Sequence, residues 1–426
     1  MAVHRLRGGV LCWVRARLSC LVAACVVSAA LGGCGSDGGP RTLRFATFNV
    51  GDLRTTDLRD AQSVRATKLA EVVQRLRPDV LLLTNITRDT RGVAGTSSTD
   101  PEGLNAERFE QVFLTQPLAE GVEPLEYWCF MPRVNSGRYS GRDLNGDGSV
   151  TVMHPEPLVS GADGSPPAPN PRAAEYALDA WGYGEYPGQR GLAVLVRRGL
   201  EPRAEDVRTF TGFQWASMPD ASRPTDARRG FGDFYPFETW LEIPLMQSSA
   251  VLLPIEGRVD EDGEATEVDR VWVACLYAGP TVGDGPELRS TLRRRDEVRF
   301  LRDVVGGASY ALDDNLEPVP SGVGPGPVVV LADLGVDDLQ SPREGNPAAA
   351  LVGDDRFAGS PVPAAQDRNP ALAPRETGRG GGRLDYVLVG SGLEAVSSGV
   401  YRTLPSDSVA FPSPRFPVWV DVEIGD

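Results

Sequence analysis

The stretch Arg44-Phe45-Ala46-Thr47-Phe48-Asn49-Val50 predicts a short buried strand, because it is apolar and rich in strand-forming residues. It ends near a side-chain amide, Asn49, and is followed by Gly51. A second apolar run, Asp79-Val80-Leu81-Leu82-Leu83, ends in Thr84-Asn85. Between the two strands, residues 63–77 have the apolar spacing of a helix, which Pro78 stops. This strand–helix–strand unit brings two polar strand ends together, and we place the candidate site there.

The rest of the chain alternates apolar runs with segments rich in glycine and proline. Helices are predicted over residues 106–114 and 289–305, and long loops over 132–190 and 341–382. Strands mixed with few helices predict an α/β fold of two packed sheets flanked by helices. The further predicted strands cover residues 127–131, 191–196, 239–243, 251–255, 271–276, 328–331, 384–389 and 417–424.

Several short motifs resemble those of the endonuclease/exonuclease/phosphatase superfamily of Mg-dependent phosphoesterases, the DNase I-like proteins. The two opening strands resemble its first motifs. Three later segments are similar to its remaining motifs and occur in the same order: Val329-Val330-Leu331-Ala332-Asp333-Leu334-Gly335, Arg383-Leu384-Asp385-Tyr386-Val387 and Ser413-Pro414-Arg415-Phe416-Pro417-Val418. The resemblance implies a four-layered α/β sandwich, two mixed sheets between helices, over residues 42–426.

The resemblance also implies which residues form the site. Asn49, Asp333 and Asp385 stand at catalytic positions of the family. Asn85 stands where the family has a metal-binding Glu, so one charge is lost from the cation site. Mg²⁺ gives up its water reluctantly without carboxylates. We therefore expect weak Mg²⁺ binding, and Mg²⁺ as a cofactor only if the protein is an active enzyme.

Most of the family's other catalytic residues are replaced in this sequence. Gly335 stands at the position of a water-orienting Asn, Tyr277 near that of the first His, and Pro414 and Arg415 at those of an Asp-His pair. The chain contains 2 histidines, His4 and His154. Since the first lies in a leader segment, a mechanism that needs two histidines cannot be assembled. The sequence favours a catalytically impaired domain; an active phosphodiesterase or nuclease with rearranged ligands is the alternative.

Replacement of the last-motif His by Arg415 predicts a new ion pair. A buried carboxylate without a partner costs several kcal/mol or takes up a proton. We therefore expect Arg415 to pair with Asp385. If Arg190, Tyr277 and the arginines that follow at Arg294 and Arg295 also face this edge, the site binds an anion such as a phosphate. The alternative is that Arg294 and Arg295 are solvated helix residues.

A second candidate site lies in the first long loop. Asp143-Leu144-Asn145-Gly146-Asp147-Gly148 begins as an EF-hand loop does, with oxygen ligands at alternating positions followed by glycine. The bidentate Glu of an EF-hand would fall at His154, with Glu156 nearby. Asp143, Asn145 and Asp147 are therefore candidate Ca²⁺ ligands, and an Asx-rich turn is the alternative.

The N-terminus predicts export. A basic segment precedes an apolar run over residues 18–31, which is too short to span a bilayer comfortably. It ends in Leu31-Gly32-Gly33-Cys34, which resembles a bacterial lipobox. This resemblance implies a signal peptide over residues 1–33, lipidation of Cys34 and membrane attachment through that lipid, with residues 34–41 as a flexible tether. Gly35 favours the outer membrane or cell surface. A plain secretory signal is the alternative.

Composition limits the partners. The chain of 426 residues carries a formal net charge of −15, and such a surface disfavours nucleic acid. Cys129 and Cys275 are the cysteines beyond Cys34, and no Cys/His spacing suggests zinc. The sequence therefore predicts an exported domain that binds a ligand or partner. A structural envelope protein without a small-molecule site is a further alternative.

Overall fold

The polar strand ends are held by two large β-sheets that pack face to face. The computed structural model describes residues 41–424 except 92, 98, 153–170, 201, 228–229, 231, 257–269, 322, 341–344 and 368–370. The predictions for the leader, for Cys34 and for His154 lie outside the described residues. In the part of the chain that the structure describes, no helix is long and apolar enough to cross a membrane.

The first sheet has six strands in the order β12-β13-β1-β2-β4-β3. Its central pair, β1 and β2, is parallel, and the other neighbours are antiparallel. The strands are β1 (Arg41–Leu53), β2 (Val80–Ile86), β3 (Tyr127–Phe130), β4 (Gly191–Arg197), β12 (Glu394–Val400) and β13 (Val418–Ile424).

The second sheet has five strands in the order β11-β10-β9-β8-β5, and again one pair, β9 and β10, is parallel. Two further short strands pair only with each other. The second sheet comprises β5 (Arg208–Thr209), β8 (Ala250–Glu256), β9 (Arg270–Tyr277), β10 (Val328–Asp333) and β11 (Asp385–Val389); the separate pair is β6 (Thr225–Asp226) and β7 (Gly232–Asp233).

Helices cover the outer faces of both sheets. Helix α2 begins after Ser63, whose hydroxyl accepts from the Ala66 amide at 3.3 Å, and ends at Arg77 in the left-handed conformation before Pro78. The helices are α1 (Thr55–Arg59), α2 (Val64–Leu76), α3 (Asn105–Phe109), α4 (Pro171–Asp179), α5 (Phe237–Glu242), α6 (Arg289–Val305) and α7 (Pro347–Val352), with a π turn at Glu110–Leu114 and 3-10 turns at Ala204–Asp206, Trp215–Ser217 and Asp355–Phe357.

Alternation along the strands builds three apolar layers. On β1, Leu43 and Phe45 point between the sheets, whereas Ala46 and Phe48 face the helices outside the first sheet. The inter-sheet layer also holds Leu331 of β10, and a third layer packs α6 and α7 on the second sheet. The predicted four-layered α/β sandwich is confirmed.

Some predicted elements were wrong. Residues 239–243, predicted as a strand, lie mainly in the short helix α5, because Pro236 initiates a helical turn and Trp240 packs 5.0 Å from the Trp215 ring. The predicted loops 132–190 and 341–382 contain α4 and α7, since each buries apolar side chains against the domain. Strand β12 was missed because its sequence mixes polar, small and apolar residues and only its last two residues are buried.

Candidate functional site

Polar ends of four strands meet at one edge of the sandwich. Asp333 is the last residue of β10 and Asp385 the first of β11, and the two are paired in the antiparallel register. Asn49 of β1 pairs with Thr84 of β2. Because the two sheets pack together, these ends form one polar surface, called here the rim.

Neutral donors surround the Asp333 carboxylate. The Asn49 side-chain amide donates to its Oδ2 at 2.6 Å, and the Thr84 hydroxyl donates to the same oxygen at 3.1 Å. The side-chain oxygen of the same residue, Asn49 Oδ1, accepts from the Gly51 amide at 2.9 Å and from the Asn85 side chain at 3.4 Å. The structure therefore joins Asn49, Asn85 and Asp333 in one hydrogen-bonded chain.

Asn85 lies at an irregularity of its strand. Its φ is +64°, a left-handed conformation that asparagine tolerates better than most residues. The register of β2 shifts at this point against both β1 and β4. The bulge turns the Asn85 side chain toward Asn49, so this position supplies a neutral amide to the rim.

Arg415 bridges the two acids of the rim. Its Nη1 lies 3.1 Å from Asp385 Oδ2 and 3.6 Å from Asp333 Oδ1. The predicted Asp385–Arg415 ion pair is therefore present. The Thr377 hydroxyl also donates to Asp385 Oδ2, at 2.7 Å. Thr377 belongs to no motif, so no feature of the sequence indicated that it would support the site.

The pKa values of both Asp385 and Arg415 are raised at this site. Burial raises the pKa of Asp385 above its ordinary value, the Asp333 charge raises it further, and Arg415 opposes both. Asp385 Oδ1 is buried and has no hydrogen-bond partner. Burial lowers the pKa of Arg415, but the charges of Asp333 and Asp385 outweigh this and raise it. One guanidinium faces two acids, so Asp385 holds its proton more tightly than usual.

Arg190 supplies a second cation at the rim. Its Nη1 lies 3.5 Å from the Tyr277 hydroxyl oxygen, and its guanidinium lies over the Tyr183 ring, 5.3 Å from the centroid. Among the described residues no carboxylate lies within ion-pair distance of Arg190. Burial raises the pKa of the Tyr277 hydroxyl. Arg190 and the neutral phenol are therefore both hydrogen-bond donors that an incoming anion can use.

The backbone at Arg190 is strained and held in place. Its φ is +55°, although it is not a glycine. Its carbonyl oxygen accepts from the Ser248 hydroxyl at 2.8 Å and from the Ser136 hydroxyl at 3.4 Å. These bonds tie the residue before β4 to two other loops and fix the direction in which its side chain leaves the chain.

The arginines of α6 divide between two roles. Arg294 donates to the carbonyl oxygens of Gly279 at 2.8 Å and Gly335 at 3.0 Å, beside the ends of β9 and β10. Its pKa is lowered by burial and is also sensitive to Asp333 and Arg415. The interpretation of Arg294 as a solvated helix residue was therefore wrong. Arg295 instead donates to Ser222 at 2.5 Å, on the outer side of the helix.

The rim does not have the donor set of a Mg²⁺ site. Mg²⁺ requires octahedral oxygen ligands, and carboxylates serve best. Asp333 Oδ2 already accepts two hydrogen bonds, and Arg415 lies beside Asp333 Oδ1 and Asp385 Oδ2. Over the residues that the structure describes, no group of three or more His, Cys, Asp or Glu side chains is placed to hold a metal ion.

A groove of about 610 Å³ opens beside the rim. Asn85 and Pro414 border it on the rim side, and α2 forms another wall through Lys68. Phe411 and the fully exposed Val409 line the loop opposite. Its size suits a small organic ligand, since ligand pockets usually measure about 300–1,000 Å³.

The candidate Ca²⁺ loop folds on itself. Both carboxylate oxygens of Asp143 accept loop amides, from Gly146 at 2.7 Å and Gly148 at 2.9 Å. The Asn145 side chain donates to Asp147 Oδ2 at 3.0 Å. These are the bonds of an Asx-rich turn, the alternative from the sequence. A Ca²⁺ ion would have to displace them.

The two cysteines of the folded part occupy different layers. Cys275 is buried between the sheets, whereas Cys129 packs on the outer face of the first sheet. Both are free thiols. Burial raises the pKa of each. They therefore have the character of structural rather than reactive thiols.

One protein-family model matches most of this chain. The model of the Endonuclease/Exonuclease/phosphatase family matches residues 46–408. Similar solved structures include family proteins from Bacteroides vulgatus (11% identity, TM-score 0.45, 90% of this chain and 99% of that one) and Bacteroides thetaiotaomicron (11%, 0.45, 91% and 99%). Another comes from Beutenbergia cavernae (15%, 0.43, 90% and 72%). No curated protein matches the sequence.

Proposed function

The chain belongs to the endonuclease/exonuclease/phosphatase family, and from that premise we propose that its domain binds a phosphate-containing anion at the rim without hydrolysing it. One observation carries the proposal: the Arg415 guanidinium lies between Asp333 and Asp385. The Arg415 guanidinium is a cation that is part of the chain, so it competes with any metal ion for these two carboxylates. Binding then replaces metal-assisted chemistry.

The balance of charge at the rim favours an anion. Arg190, Arg294 and Arg415 lie around two carboxylates, one of which holds its proton tightly. Arg415 and Arg294 are engaged by acids and backbone carbonyls. Among the described residues, the partners of the Arg190 guanidinium are a phenol and an aromatic ring. Guanidinium groups match phosphate oxygens well, so Arg190 with Tyr277 is the proposed contact.

The groove gives room for the rest of such a ligand. It shares Asn85 with the rim, and Lys68 on its wall donates only to the Ser406 carbonyl oxygen. Arg379 also lines it and donates to the Phe411 carbonyl oxygen at 3.3 Å. An organic group attached to the bound phosphate would lie along these walls.

The N-terminal segment also bears on where the protein is located in the cell. The basic segment, the apolar run and Cys34 follow one another in the order of a lipoprotein leader. We propose that the protein is exported and held at the cell envelope by lipid on Cys34. Mass spectrometry of the mature protein from a bacterial host tests this: a diacylated N-terminal Cys34 is expected, and an unmodified or uncleaved N-terminus contradicts it.

The alternative function is an active Mg-dependent phosphodiesterase that uses Asp333, Asp385 and Asn49. A purified mature protein is expected to release no product from bis(4-nitrophenyl) phosphate with Mg²⁺ or Mn²⁺, because Arg415 occupies the acids. The matched control is Asp333→Asn. Turnover in the wild type that this substitution abolishes would establish the enzyme and overturn the proposal.

Anion binding is tested by calorimetry with inorganic phosphate and phenyl phosphate. Arg190→Gln is expected to weaken the binding of both at least about tenfold, because it removes a charge-assisted hydrogen-bond donor. Arg198→Gln, an exposed arginine just beyond the far end of β4, is the matched control and should bind as the wild type does. Absence of saturable binding by the wild type, or equal binding by both variants, would refute the rim as an anion site.

A further inference from the structure

A second cavity, of about 280 Å³, lies in the helical layer outside the second sheet. It is formed between α6 and the segment around α7, and it shares no lining residue with the groove beside the rim. Neither the family motifs nor the rim chemistry uses it. Its walls combine positive charge with apolar surface.

The positive wall comes from one face of α6. Arg295, Arg299 and Arg302 all line the cavity, and their spacing of four and three residues places them on the same side of the helix. Like charges at this spacing repel each other and destabilise a helix. Three cations thus line one cavity, although the net charge of the chain is −15.

Two acids, Asp220 and Asp296, line the cavity beside these cations. The Asp296 Oδ2 accepts from the Trp215 indole at 2.7 Å and the Ser222 amide at 2.6 Å. Its Oδ1 accepts from the Ser222 hydroxyl at 2.8 Å. Asp296 thus holds its own surroundings together and lies 3.6 Å from Arg299 Nε.

Arg302, the last of the three arginines, has a weak partner. Arg302 Nη2 lies 3.8 Å from Asp303 Oδ1, a contact between sequence neighbours at the surface, where the Arg302 side chain is 37% exposed. Arg299 Nη2 donates to the carbonyl oxygens of Pro219 at 2.8 Å and Asp220 at 3.2 Å. Exposed ion pairs contribute little, so Arg302 can exchange its partner for a ligand.

The opposite wall is apolar. Leu351 and Val298 are almost fully buried at its base, and Pro347 and Ala350 of α7 complete it. An inorganic ion would leave this apolar surface unused. A ligand with an apolar body and one anionic group would cover the base and place its charge among the arginines.

We propose that this cavity binds a small organic anion, a carboxylate, sulfonate or phosphate with an apolar body, independently of the rim. The probe is 8-anilinonaphthalene-1-sulfonate, whose fluorescence rises on leaving water. We expect saturable binding to the folded wild-type protein. Arg302→Gln should weaken it at least about tenfold by removing a charged donor.

A second variant tests whether binding needs the volume of the cavity, as distinct from its positive charge. Ala350 is exposed at the mouth of the cavity, so Ala350→Phe should fill it without entering the core and should also abolish tight binding. Ala358→Phe, at a nearby exposed alanine outside the cavity, is the matched control for volume, and Arg198→Gln, at the exposed arginine beyond β4, is the control for charge. Near-UV circular dichroism checks that each variant is folded.

The outcomes separate clearly. Loss of probe binding in both cavity variants and in neither control supports the proposal. Unchanged binding in Ala350→Phe and Arg302→Gln, or no saturable binding in the wild type, overturns it. Competition by inorganic phosphate as strong as that by naphthalene-1-sulfonate would also overturn it, because the apolar wall would then play no part.

Discussion

Replacing Arg415 by leucine is expected to destabilise the fold by about 3–5 kcal/mol near pH 8, the cost typical of removing one partner of a buried ion pair. The substitution leaves Asp333 and Asp385 facing each other, both almost fully buried, without a cation between them. Urea unfolding followed by tryptophan fluorescence measures the change. The loss should shrink at lower pH, since Asp385 then takes up a proton more readily.

Two further variants show whether the effect belongs to the ion pair. The double variant Arg415→Leu/Asp385→Leu should recover much of the loss, because apolar side chains of similar size often replace a buried pair without cost. Arg379→Leu is the matched control: the guanidinium of this exposed arginine donates to the Phe411 carbonyl oxygen at 3.3 Å. Equal losses in Arg415→Leu and Arg379→Leu would contradict the role given to Arg415.

Much of the frame of this site could be predicted from the sequence. The strands that carry Asn49, Asn85, Asp333 and Asp385 are short apolar runs, and each polar residue stands at or near the end of its run. Period-two alternation and burial determine such strands locally. The pair between Arg415 and Asp385 was predicted because the family resemblance places Arg415 at the last-motif His position, close to an acid that requires a partner when it is buried.

Other parts of the site depend on contacts that no local pattern encodes. Thr377 reaches Asp385 from a turn, and the Ser248 hydroxyl fixes the backbone of Arg190 from the segment before β8. Arg294 looked like one of several solvated arginines on α6, yet it is the one whose helical position points to Gly335. Helix periodicity shows which residues share a face, but only the packing of α6 on the sheet shows what that face meets.

The stability of the wild-type protein should depend on pH through Asp385. Its pKa in the folded protein is raised by burial and by Asp333, with Arg415 in opposition. Above the ordinary aspartate pKa of about 3.9, the folded state therefore binds more protons at this residue than the unfolded state does. By linkage, this contribution is fully present at low pH and is lost as pH rises through the folded-state pKa.

Asp385→Asn should remove this dependence, because the amide is neutral at every pH and resembles the protonated acid in shape. The free energy of unfolding in urea is measured across about pH 4–8. As pH rises, it should fall less in Asp385→Asn than in the wild type, and the two slopes should differ by up to about 1.4 kcal/mol per pH unit, the value for one proton. Asp407→Asn is the matched control, since Asp407 is exposed on the loop beside the groove. If the wild type and Asp385→Asn lose stability in parallel over this range, Asp385 does not hold its proton in the folded protein, and both acids of the rim are ionised beside Arg415.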